Sequence, residues 1–428
     1  MGVALSEPDN IALKDGSGTI ITYGQMMGRV NDIANAFHGI NISSGSYVGV
    51  FQEPTSDWIC SLLAIWSIGA TFVPLDSRHP LDRLRMIFSD CEPSAILYRS
   101  HTSVKALELG VESVNTLDVT GLFSVSPMHS EWKYPDAQSP AVVLYTSGST
   151  GAPKGVVLRH FGLLNVAIGF SIRHHIRKEI ILQHTAYSFD LALSQTATAL
   201  LNGGTLCVVP MSKRLDSVEF AKMIVSETIT CTMATPSEYF NWLQYGSDLL
   251  VDASQWSTAI SGGEPLTGAH KKGFRGLLRP DLRLINAYGP AEGSVACTSA
   301  EVKYLDGAEL SEAVIPVGSA LPNHSVYIVD ENLNTVPIGV VGEIVIGGPG
   351  IAMGYHKNAA LTAAKFVPDF YTPPSAFSYD NHWVYRSGDL GRLTEDGSLI
   401  CIGRVPEDSQ IKLHGVRIEM TDIENTIV

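Results

Sequence analysis

A loop rich in glycine and hydroxyl groups, Thr146–Gly155 (TSGSTGAPKG), directly follows the apolar run Ala141–Tyr145. Glycines let the backbone bend so that successive N–H groups converge on an anion, and the serine and threonine hydroxyls add further donors. Lys154 supplies a positive charge, and because Gly155 follows it, the loop is not a Walker A sequence. A flexible linker is the alternative, but a linker does not need a buried strand before it. The spacing therefore predicts a loop that binds phosphate groups.

Three carboxylates stand in sequence settings that suit a binding site. Asp190 lies between Phe189 and the apolar run Leu191-Ala192-Leu193, an unusual place for a charge unless it has a partner or caps a helix. Glu292 closes the segment NAYGPAE, and Asp389 follows the segment YRSG. A solvated turn glutamate and a turn-capping aspartate are the alternatives for these two. All three carboxylates are candidates for contacts with a cation or with hydroxyl groups.

The composition excludes several classes of protein. The 428-residue chain has a formal net charge of −14 and is 45% hydrophobic and 17% charged, which is enough apolar material for a large core. The acidic balance argues against binding of nucleic acid, which needs clustered Lys and Arg. The six cysteines form no C-x-x-C pair, which favours buried thiols in a reducing compartment. Without a secretory signal or an apolar run of about 20 residues, the sequence predicts a cytoplasmic protein with no membrane segment.

The elements that position these groups alternate between strands and helices up to about residue 300. Apolar runs bounded by glycine and proline predict strands at Tyr47–Phe51, Thr71–Leu75, Ser94–Tyr98, Ala141–Tyr145, Thr205–Val209 and Thr258–Ile260. Amphipathic segments between them predict helices at Gly24–His38, Trp58–Ile68, Leu81–Ser89 and Ser217–Glu227. Continuous hydrophobic strands alternating with helices are typical of parallel sheets covered on both faces. We therefore predict an α/β fold with two doubly wound, mainly parallel sheets flanked by helices.

After about residue 300 the pattern changes to short strands joined by Gly, Asp and Asn turns, which predicts a smaller antiparallel, barrel-like region. The strands expected there are Ser325–Val329, Gly342–Ile346, His382–Arg386 and Ser398–Ile402. The predicted boundaries are a core over residues 1–403, with its β-rich subdomain at 301–403, and a hinge with the start of another subdomain at 404–428. The helical pattern at Met420–Val428 has no stop signal, so we expect the sequence to end inside an element.

Several short motifs, taken in order along nearly the whole chain, carry a family resemblance. They are Gly69–Asp76 (GATFVPLD), the loop Thr146–Gly155, Phe189-Asp190, Leu201–Gly204, Asn286–Glu292, Gly342-Glu343 with Gly347-Gly348, Tyr385–Leu390, and Gly403-Arg404 with Gln410–Glu419. This set resembles the adenylate-forming (ANL) superfamily, and in particular the adenylation domains of nonribosomal peptide synthetases. Any single motif of this length occurs by chance, whereas the ordered set is specific.

The resemblance implies attack of a carboxylate on the α-phosphorus of ATP, which gives an acyl adenylate and pyrophosphate. Both reactants are anions, so the site must neutralise charge and align them. Mg²⁺ would do part of this with Glu292 as its ligand, because this hard cation prefers carboxylate and phosphate oxygens. Lys154 and Thr146 are the other catalytic residues that the resemblance implies.

For the nucleotide, the resemblance implies that Tyr288 stacks on adenine and that the Asn286 amide reads the edge of the base. Asp389 would accept hydrogen bonds from the ribose hydroxyls, and Arg404 would donate to ribose or phosphate oxygens. The residues expected to contact ATP or AMP are Thr146, Ser147, Gly148, Ser149, Thr150, Gly151, Lys154, Gly262, Gly263, Glu264, Asn286, Ala287, Tyr288, Gly289, Asp389 and Arg404. Among them, Gly262-Gly263-Glu264 would form the wall opposite Tyr288.

For the second substrate, the resemblance places Asp190 on the floor of a pocket, where its carboxylate pairs with the α-ammonium group of an amino acid. The residues expected around the rest of this pocket are Phe189, Leu191, Ser194, Met233, Ile260, Gly262, Ala287, Val295 and Ala296. None of them is charged, so we expect a neutral substrate side chain. Ser194, Gly262 and Ala296 are small, and they leave depth for a large hydrophobic or aromatic group.

The implied function is ATP-dependent activation of an L-α-amino acid for loading onto the phosphopantetheine thiol of a carrier protein in nonribosomal peptide synthesis. The carrier domain and other synthetase domains are the implied partners. Three departures from the family pattern are Ala291 in place of threonine, Cys401 in place of an aromatic residue, and two extra residues near Val405–Glu407. The family's C-terminal subdomain supplies a catalytic lysine, and this sequence contains only the start of that subdomain. We therefore expect binding of both substrates but slow adenylation.

Two alternative functions remain open at this point. An acyl- or aryl-CoA ligase of the same superfamily would have no use for Asp190, because its acids bring no ammonium group. A non-catalytic nucleotide-binding scaffold would have no use for Lys154, Glu292 and Asp389 together. A nucleotide titration with and without magnesium would separate the scaffold from the two enzymes.

Overall fold

The computed structural model of the chain describes residues 2–16, 18–102, 114–122, 135–147, 153–305, 314–372, 383–405, 410–413 and 416–419. Five residues of the predicted phosphate loop, Gly148, Ser149, Thr150, Gly151 and Ala152, lie outside the described residues, as does the predicted helical segment Met420–Val428.

The helices of the described residues are α1 (Gly2–Ser6), α2 (Tyr23–His38), α3 (Ser56–Ser67), α4 (Leu81–Cys91), α5 (His160–His174), α6 (Asp190–Leu201), α7 (Ser217–Ser226), α8 (Pro236–Leu250), α9 (Gly268–Gly276) and α10 (Ala359–Lys365). Short 3₁₀ turns lie at Ser100–Thr102, Met211–Lys213 and Ala291–Gly293. None of the helices in the described part of the chain combines the length and hydropathy that a bilayer-spanning segment requires.

The strands are β1 (Ile11–Asp15), β2 (Ile20–Thr22), β3 (Tyr47–Phe51), β4 (Thr71–Pro74), β5 (Ala95–Tyr98), β6 (Asn115–Asp118), β7 (Pro140–Thr146), β8 (Lys154–Arg159), β9 (Ile180–Gln183), β10 (Thr205–Val208), β11 (Cys231–Ala234), β12 (Thr258–Gly262) and β13 (Arg283–Tyr288). They continue with β14 (Thr298–Val302), β15 (Ser319–Ala320), β16 (Ser325–Val329), β17 (Gly342–Gly347), β18 (Gly354–Tyr355), β19 (Phe366–Pro368), β20 (Trp383–Leu393), β21 (Leu399–Arg404), β22 (Gln410–Leu413) and β23 (Val416–Glu419).

Two large sheets and one smaller sheet are built from these strands. A nine-stranded sheet has the order β15-β14-β13-β12-β11-β9-β10-β1-β2, and a seven-stranded sheet has the order β18-β8-β7-β4-β3-β5-β6. Both are parallel in their centres. The nine-stranded sheet is antiparallel at both edges, whereas the seven-stranded sheet is antiparallel at its β18-β8-β7 edge and parallel at its β5-β6 edge. The third sheet, β16-β17-β20-β19 with β21 on β20, is antiparallel. The predicted α/β fold with two doubly wound sheets and an antiparallel region is therefore confirmed.

Local sequence signals explain where the helices next to the site begin. Thr235 precedes α8, its hydroxyl accepts from the backbone N–H of Glu238, and the Glu238 carboxylate accepts from the backbone N–H of Thr235. This reciprocal capping box, with Pro236 at the first helical position, fixes the start of α8. Helix α6 begins at Asp190, and its N-cap is Phe189, not Asp190. The interpretation of Asp190 as the N-cap of this helix is therefore wrong.

The predicted bounds of β3 and β16 are correct, whereas β20 is longer than predicted. Strands β3 and β16 have the predicted bounds, because each is a continuous apolar run between turn residues. Strand β20 differs, since it runs unbroken through Ser387-Gly388 where a turn was expected before Asp389. Pairing with β17 on one side and β21 on the other holds this segment extended, with an irregularity in register at each interface. Asp389 is therefore a residue of a central strand and does not cap a turn.

Buried histidines make the stability of this fold depend on pH. Burial lowers the pKa of His160, His174 and His324 to about 4, whereas an unfolded chain has histidine pKa values near about 6.5. Between these values the unfolded state binds more protons, so stability is complete above about pH 6.5 and falls as the pH drops toward 4. We expect the urea midpoint to be lower at pH 5 than at pH 7.

The variant His174→Gln checks the cause of this pH dependence. His174 Nε2 lies 2.8 Å from the Ser299 hydroxyl, and a glutamine amide can occupy that position without titrating. We expect the difference in urea midpoint between pH 7 and pH 5 to shrink in the variant. An unchanged difference would show that His174 does not contribute.

Candidate active site

The site is centred on the carboxylate of Glu292, which has no solvent exposure. Glu292 lies in the 3₁₀ turn Ala291–Gly293 that follows β13, and the backbone carbonyl of Glu292 accepts a 2.8 Å hydrogen bond from the N–H of Ala352. The interpretation of Glu292 as a solvated turn residue is therefore wrong. A carboxylate in this position needs compensating positive charge or hydrogen-bond donors.

Two side chains compensate this buried carboxylate from the seven-stranded sheet. Lys154, the first residue of β8, places its Nζ 4.0 Å from Oε1 of Glu292. The Tyr355 hydroxyl donates a 2.8 Å hydrogen bond to the same oxygen, and the Lys154 ammonium lies 5.1 Å from the centre of the Tyr355 ring. Burial and the charge of Glu292 raise the pKa of Tyr355 far above its usual value. The hydroxyl therefore stays protonated and acts as a donor.

The predicted phosphate loop has its first described residues and its lysine beside this group. In the β7–β8 hairpin, Thr146 is the register partner of Lys154, so the two ends of the loop lie side by side. The Thr146 hydroxyl oxygen is buried and has no hydrogen-bond partner among the described residues. A buried hydroxyl without a partner is costly, and a bound phosphate oxygen would supply one.

The residues predicted for the nucleoside form one hydrogen-bonded chain. The Tyr288 hydroxyl donates to Oδ2 of Asp389 at 2.6 Å, and Nη1 of Arg404 donates to Oδ1 at 2.7 Å. Asp389 and Arg404 are register partners on β20 and β21, while Tyr288 is the last residue of β13. A carboxylate has about four acceptor positions, so Asp389 can still accept hydroxyl donors. Burial and the charge of Asp389 raise the pKa of Tyr288 well above its usual value.

Two other predicted nucleotide residues have partners within the protein. The Asn286 amide nitrogen donates to the carbonyl of Pro316 at 3.0 Å, and its buried Oδ1 has no partner among the described residues. That oxygen is the atom of Asn286 that could accept from an adenine amino group. Glu264 accepts hydrogen bonds from the backbone N–H and the hydroxyl of Ser237, at the start of α8. The Glu264 carboxylate therefore orders the start of α8. Of the predicted wall Gly262-Gly263-Glu264, only the two glycines line the cavity described next.

All residues predicted for the amino-acid pocket line a single cavity of about 100 Å³. They are Phe189, Asp190, Leu191, Ser194, Met233, Ile260, Gly262, Ala287, Val295 and Ala296. The strand register explains part of this, because Gly262 and Ala287 are partners at the ends of β12 and β13. At Gly289 a Cβ atom would lie 2.5 Å from the Cα of Ala296, so only glycine lets these two segments approach so closely.

Five further residues line the cavity, and three of them, Phe170, Thr185 and Thr235, were not predicted for either substrate. Thr185 is held by its surroundings, since its hydroxyl accepts from Gln195 Nε2 at 3.0 Å and its carbonyl accepts from Arg214 Nη1 at 3.2 Å. A capping-box pattern marks Thr235 in the sequence as a helix start. Phe170 and Thr185 have no such signal, because only the fold brings them to the cavity.

A family described as AMP-binding enzyme matches residues 3–356. The hybrid PKS-NRPS synthetase thnA of Trichoderma harzianum is 42% identical over 429 residues, which cover 100% of this chain and 10% of that protein. The chain therefore spans about a tenth of the length of the curated relatives it matches.

Two solved structures share the fold over almost the entire chain. One is an NRPS protein that contains adenylation and PCP domains bound to a vinylsulfonamide inhibitor, with a TM-score of 0.86, 26% identity, and coverage of 100% of this chain and 70% of that chain. The other is a four-domain nonribosomal peptide synthetase bound to AMP and glycine, with a TM-score of 0.79, 30% identity, and coverage of 99% and 30% respectively.

The contact between Tyr355 and Glu292 predicts a measurable effect. A hydrogen bond to a charged group contributes about 1.5–3 kcal/mol, so we expect Tyr355→Phe to lower the free energy of unfolding by about that amount in urea denaturation. Tyr385→Phe is the matched control, because the Tyr385 hydroxyl lies 3.4 Å from that of Tyr355 and one step farther from Glu292. Equal losses in both variants would contradict a specific role for Tyr355.

Proposed function

The chain belongs to the family of AMP-binding enzymes, and from this premise we propose that it activates an L-α-amino acid as its adenylate. In the reaction, an oxygen of the substrate carboxylate bonds to the α-phosphorus of ATP while the bond to the leaving pyrophosphate breaks. The observation that carries the proposal is the position of Asp190. It is the one acidic side chain among the described residues that line the cavity, and that cavity adjoins the predicted nucleotide residues Gly263 and Gly289.

The acid at the cavity wall supports an amino acid as substrate. The other lining residues are apolar, glycine or hydroxyl-bearing, so a positively charged group in the cavity has Asp190 as its counterion. An α-ammonium group meets this requirement, whereas an aryl acid or a fatty acid brings no positive charge. Acyl- and aryl-CoA ligation is therefore the less favoured function of the same site.

The side chain of the amino acid would lie against the apolar wall. Leu191, Met233, Ile260 and Val295 line this part, with Ser194 as the polar exception. The Ser194 hydroxyl lies 3.8 Å from the sulfur of Met233. The lining supports a neutral and mostly apolar side chain, large or aromatic, because a charged one would be buried without a partner.

The phosphate end of the site supports charge neutralisation during the reaction. Glu292 suits Mg²⁺, which is commonly held by one or two carboxylates together with substrate phosphates. No group of three or more His, Cys, Asp or Glu side chains in the described ranges could hold a metal by itself. Bound Mg²⁺ would neutralise phosphate charge. Lys154 would place its ammonium on the phosphates, and Thr146 would donate its hydroxyl to a phosphate oxygen.

The product would pass to the phosphopantetheine thiol of a carrier protein. The structure with adenylation and PCP domains and the length of the hybrid synthetases support this part of the proposal. Other synthetase domains would then be partners of the chain. The thiol sulfur would attack the acyl carbon, and AMP would leave.

The variant Asp190→Asn tests the choice of substrate. Asparagine keeps the shape of the side chain and removes its charge, and breaking one partner of a buried charge pair costs about 2–5 kcal/mol. We expect the KM for the amino acid in ATP–pyrophosphate exchange to rise about 100-fold, with the KM for ATP nearly unchanged. Asp248→Asn, at an exposed position of α8, is the matched control.

The same exchange assay should be run on a panel of large neutral amino acids, aryl acids and fatty acids. A preference for a hydrophobic or aromatic amino acid is the expected result. Exchange driven by benzoate or a fatty acid, with no effect of Asp190→Asn, would contradict the proposal and favour the CoA-ligase function. ATP binding without exchange for any acid would favour a scaffold.

The variant Glu292→Gln tests the metal site separately. A glutamine oxygen can still accept from the Tyr355 hydroxyl, so the fold should be retained and the thermal midpoint should change little. We expect exchange activity to fall about 100-fold and the magnesium concentration for half-maximal activity to rise, since a charged ligand is lost. An unchanged magnesium dependence would mean that Glu292 does not hold the metal.

A further inference from the structure

A groove with no place in the proposed function runs along the edge of the seven-stranded sheet, where β18 pairs with β8. Its volume is about 900 Å³. Arg159 lines it and is the register partner of Pro140, at the opposite end of the β7–β8 hairpin from Thr146 and Lys154. Arg159 is five positions after Lys154 in this strand, or about 17 Å away at the rise of a β-strand. The Arg159 guanidinium is therefore remote from the predicted phosphate loop.

The Arg159 guanidinium has no counterion in the described structure. Its Nε and Nη1 atoms are buried and make no hydrogen bond, and burial lowers the pKa of Arg159 below its usual value. Two buried donors that make no hydrogen bond are costly. The other basic groups of the groove differ, since Lys357 pairs with Glu92 at 2.9 Å and His356 Nε2 lies 3.2 Å from the carbonyl of Asp90.

The charge of the groove is opposite to that of the chain. The protein has 43 acidic and 29 basic side chains, yet none of the described residues that line the groove is an aspartate or a glutamate. Outside the lining, Asp90 contacts His356 through its backbone carbonyl, and Glu92 pairs with Lys357. An anion that enters the groove therefore meets Arg159 without a competing carboxylate in the lining.

The remaining wall of the groove is apolar and partly exposed. It is formed by Met353, Phe366, Pro368 and Trp383, of which Trp383 is 48% and Met353 43% exposed. An exposed tryptophan and a methionine in the lining of one groove suit a flat apolar group, because both side chains offer large and polarisable surfaces. The volume also lies in the range of about 300–1,000 Å³ that is typical of small-molecule sites.

We propose that this groove is a second ligand site, which binds a small organic anion with an aromatic body. The anionic group, a carboxylate, lies toward Arg159, and the ring packs against Trp383. The site does not depend on the amino-acid cavity. One wall residue, Tyr355, also bonds to Glu292, so the two sites share a side chain.

Binding of 2-naphthoate, followed by calorimetry and by quenching of tryptophan fluorescence, tests the proposal. We expect saturable binding with one site per chain, and at least tenfold weaker binding of the neutral analogue 2-naphthamide. Arg159→Met should weaken 2-naphthoate binding at least tenfold and leave 2-naphthamide unchanged. Arg85→Met is the control, since Arg85 is an exposed cation on α4 outside the groove.

A second variant, Trp383→Leu, tests the same groove in case Arg159→Met does not fold. Trp383 is half exposed, so its replacement should leave the thermal midpoint unchanged while weakening binding of both naphthyl compounds. Absence of saturable binding, equal effects of Arg159→Met and Arg85→Met, or displacement of 2-naphthoate by AMP would overturn the proposal. Displacement by AMP would assign the compound to the nucleotide site.

Discussion

A single buried carboxylate, that of Glu292, sets the conditions for the rest of the site. A charge without solvent exposure is tolerated only when opposite charge and donors surround it, and here Lys154 and Tyr355 supply both. The three residues are far apart in sequence and belong to different elements: a turn after β13, the start of β8 and the short strand β18. The two large sheets therefore meet at this carboxylate, and an arrangement that separated them would leave the charge uncompensated.

The residues predicted for the amino acid and those predicted for the nucleoside lie on different parts of the fold. Asp190 begins α6, and the cavity beside it is closed by the ends of β12 and β13 in the nine-stranded sheet. Tyr288 and Asp389, which are predicted to contact the nucleoside, join that sheet to the antiparallel one through a 2.6 Å hydrogen bond. An adenylate that spans from Asp190 to Asp389 would thus contact both sheets. Rigid strand ends, which carry most of these side chains, suit a reaction that needs precise alignment of two anions.

The sequence predicted much of this, and the failures have physical causes. Strands such as β3 and β16 were predictable because a buried strand needs a continuous apolar run, and the cavity residues were predictable only through the family resemblance. Tyr355 was not, because it follows a glycine-rich segment that reads as tight turns, and its role depends on pairing between β18 and β8, which are about 200 residues apart. Strand β20 was predicted too short, because Gly388 signals a turn locally while pairing on both edges keeps it extended.

The most direct measurement is a crystal structure with a non-hydrolysable aminoacyl adenylate analogue. The central claim is that Asp190, Glu292 and Asp389 serve one ligand whose amino acid lies in the cavity. We expect the ammonium group within about 3 Å of the Asp190 carboxylate, at hydrogen-bond distance, with the adenosine beside Tyr288 and Asp389. An analogue bound with its ammonium turned away from Asp190, or outside the cavity altogether, would contradict it.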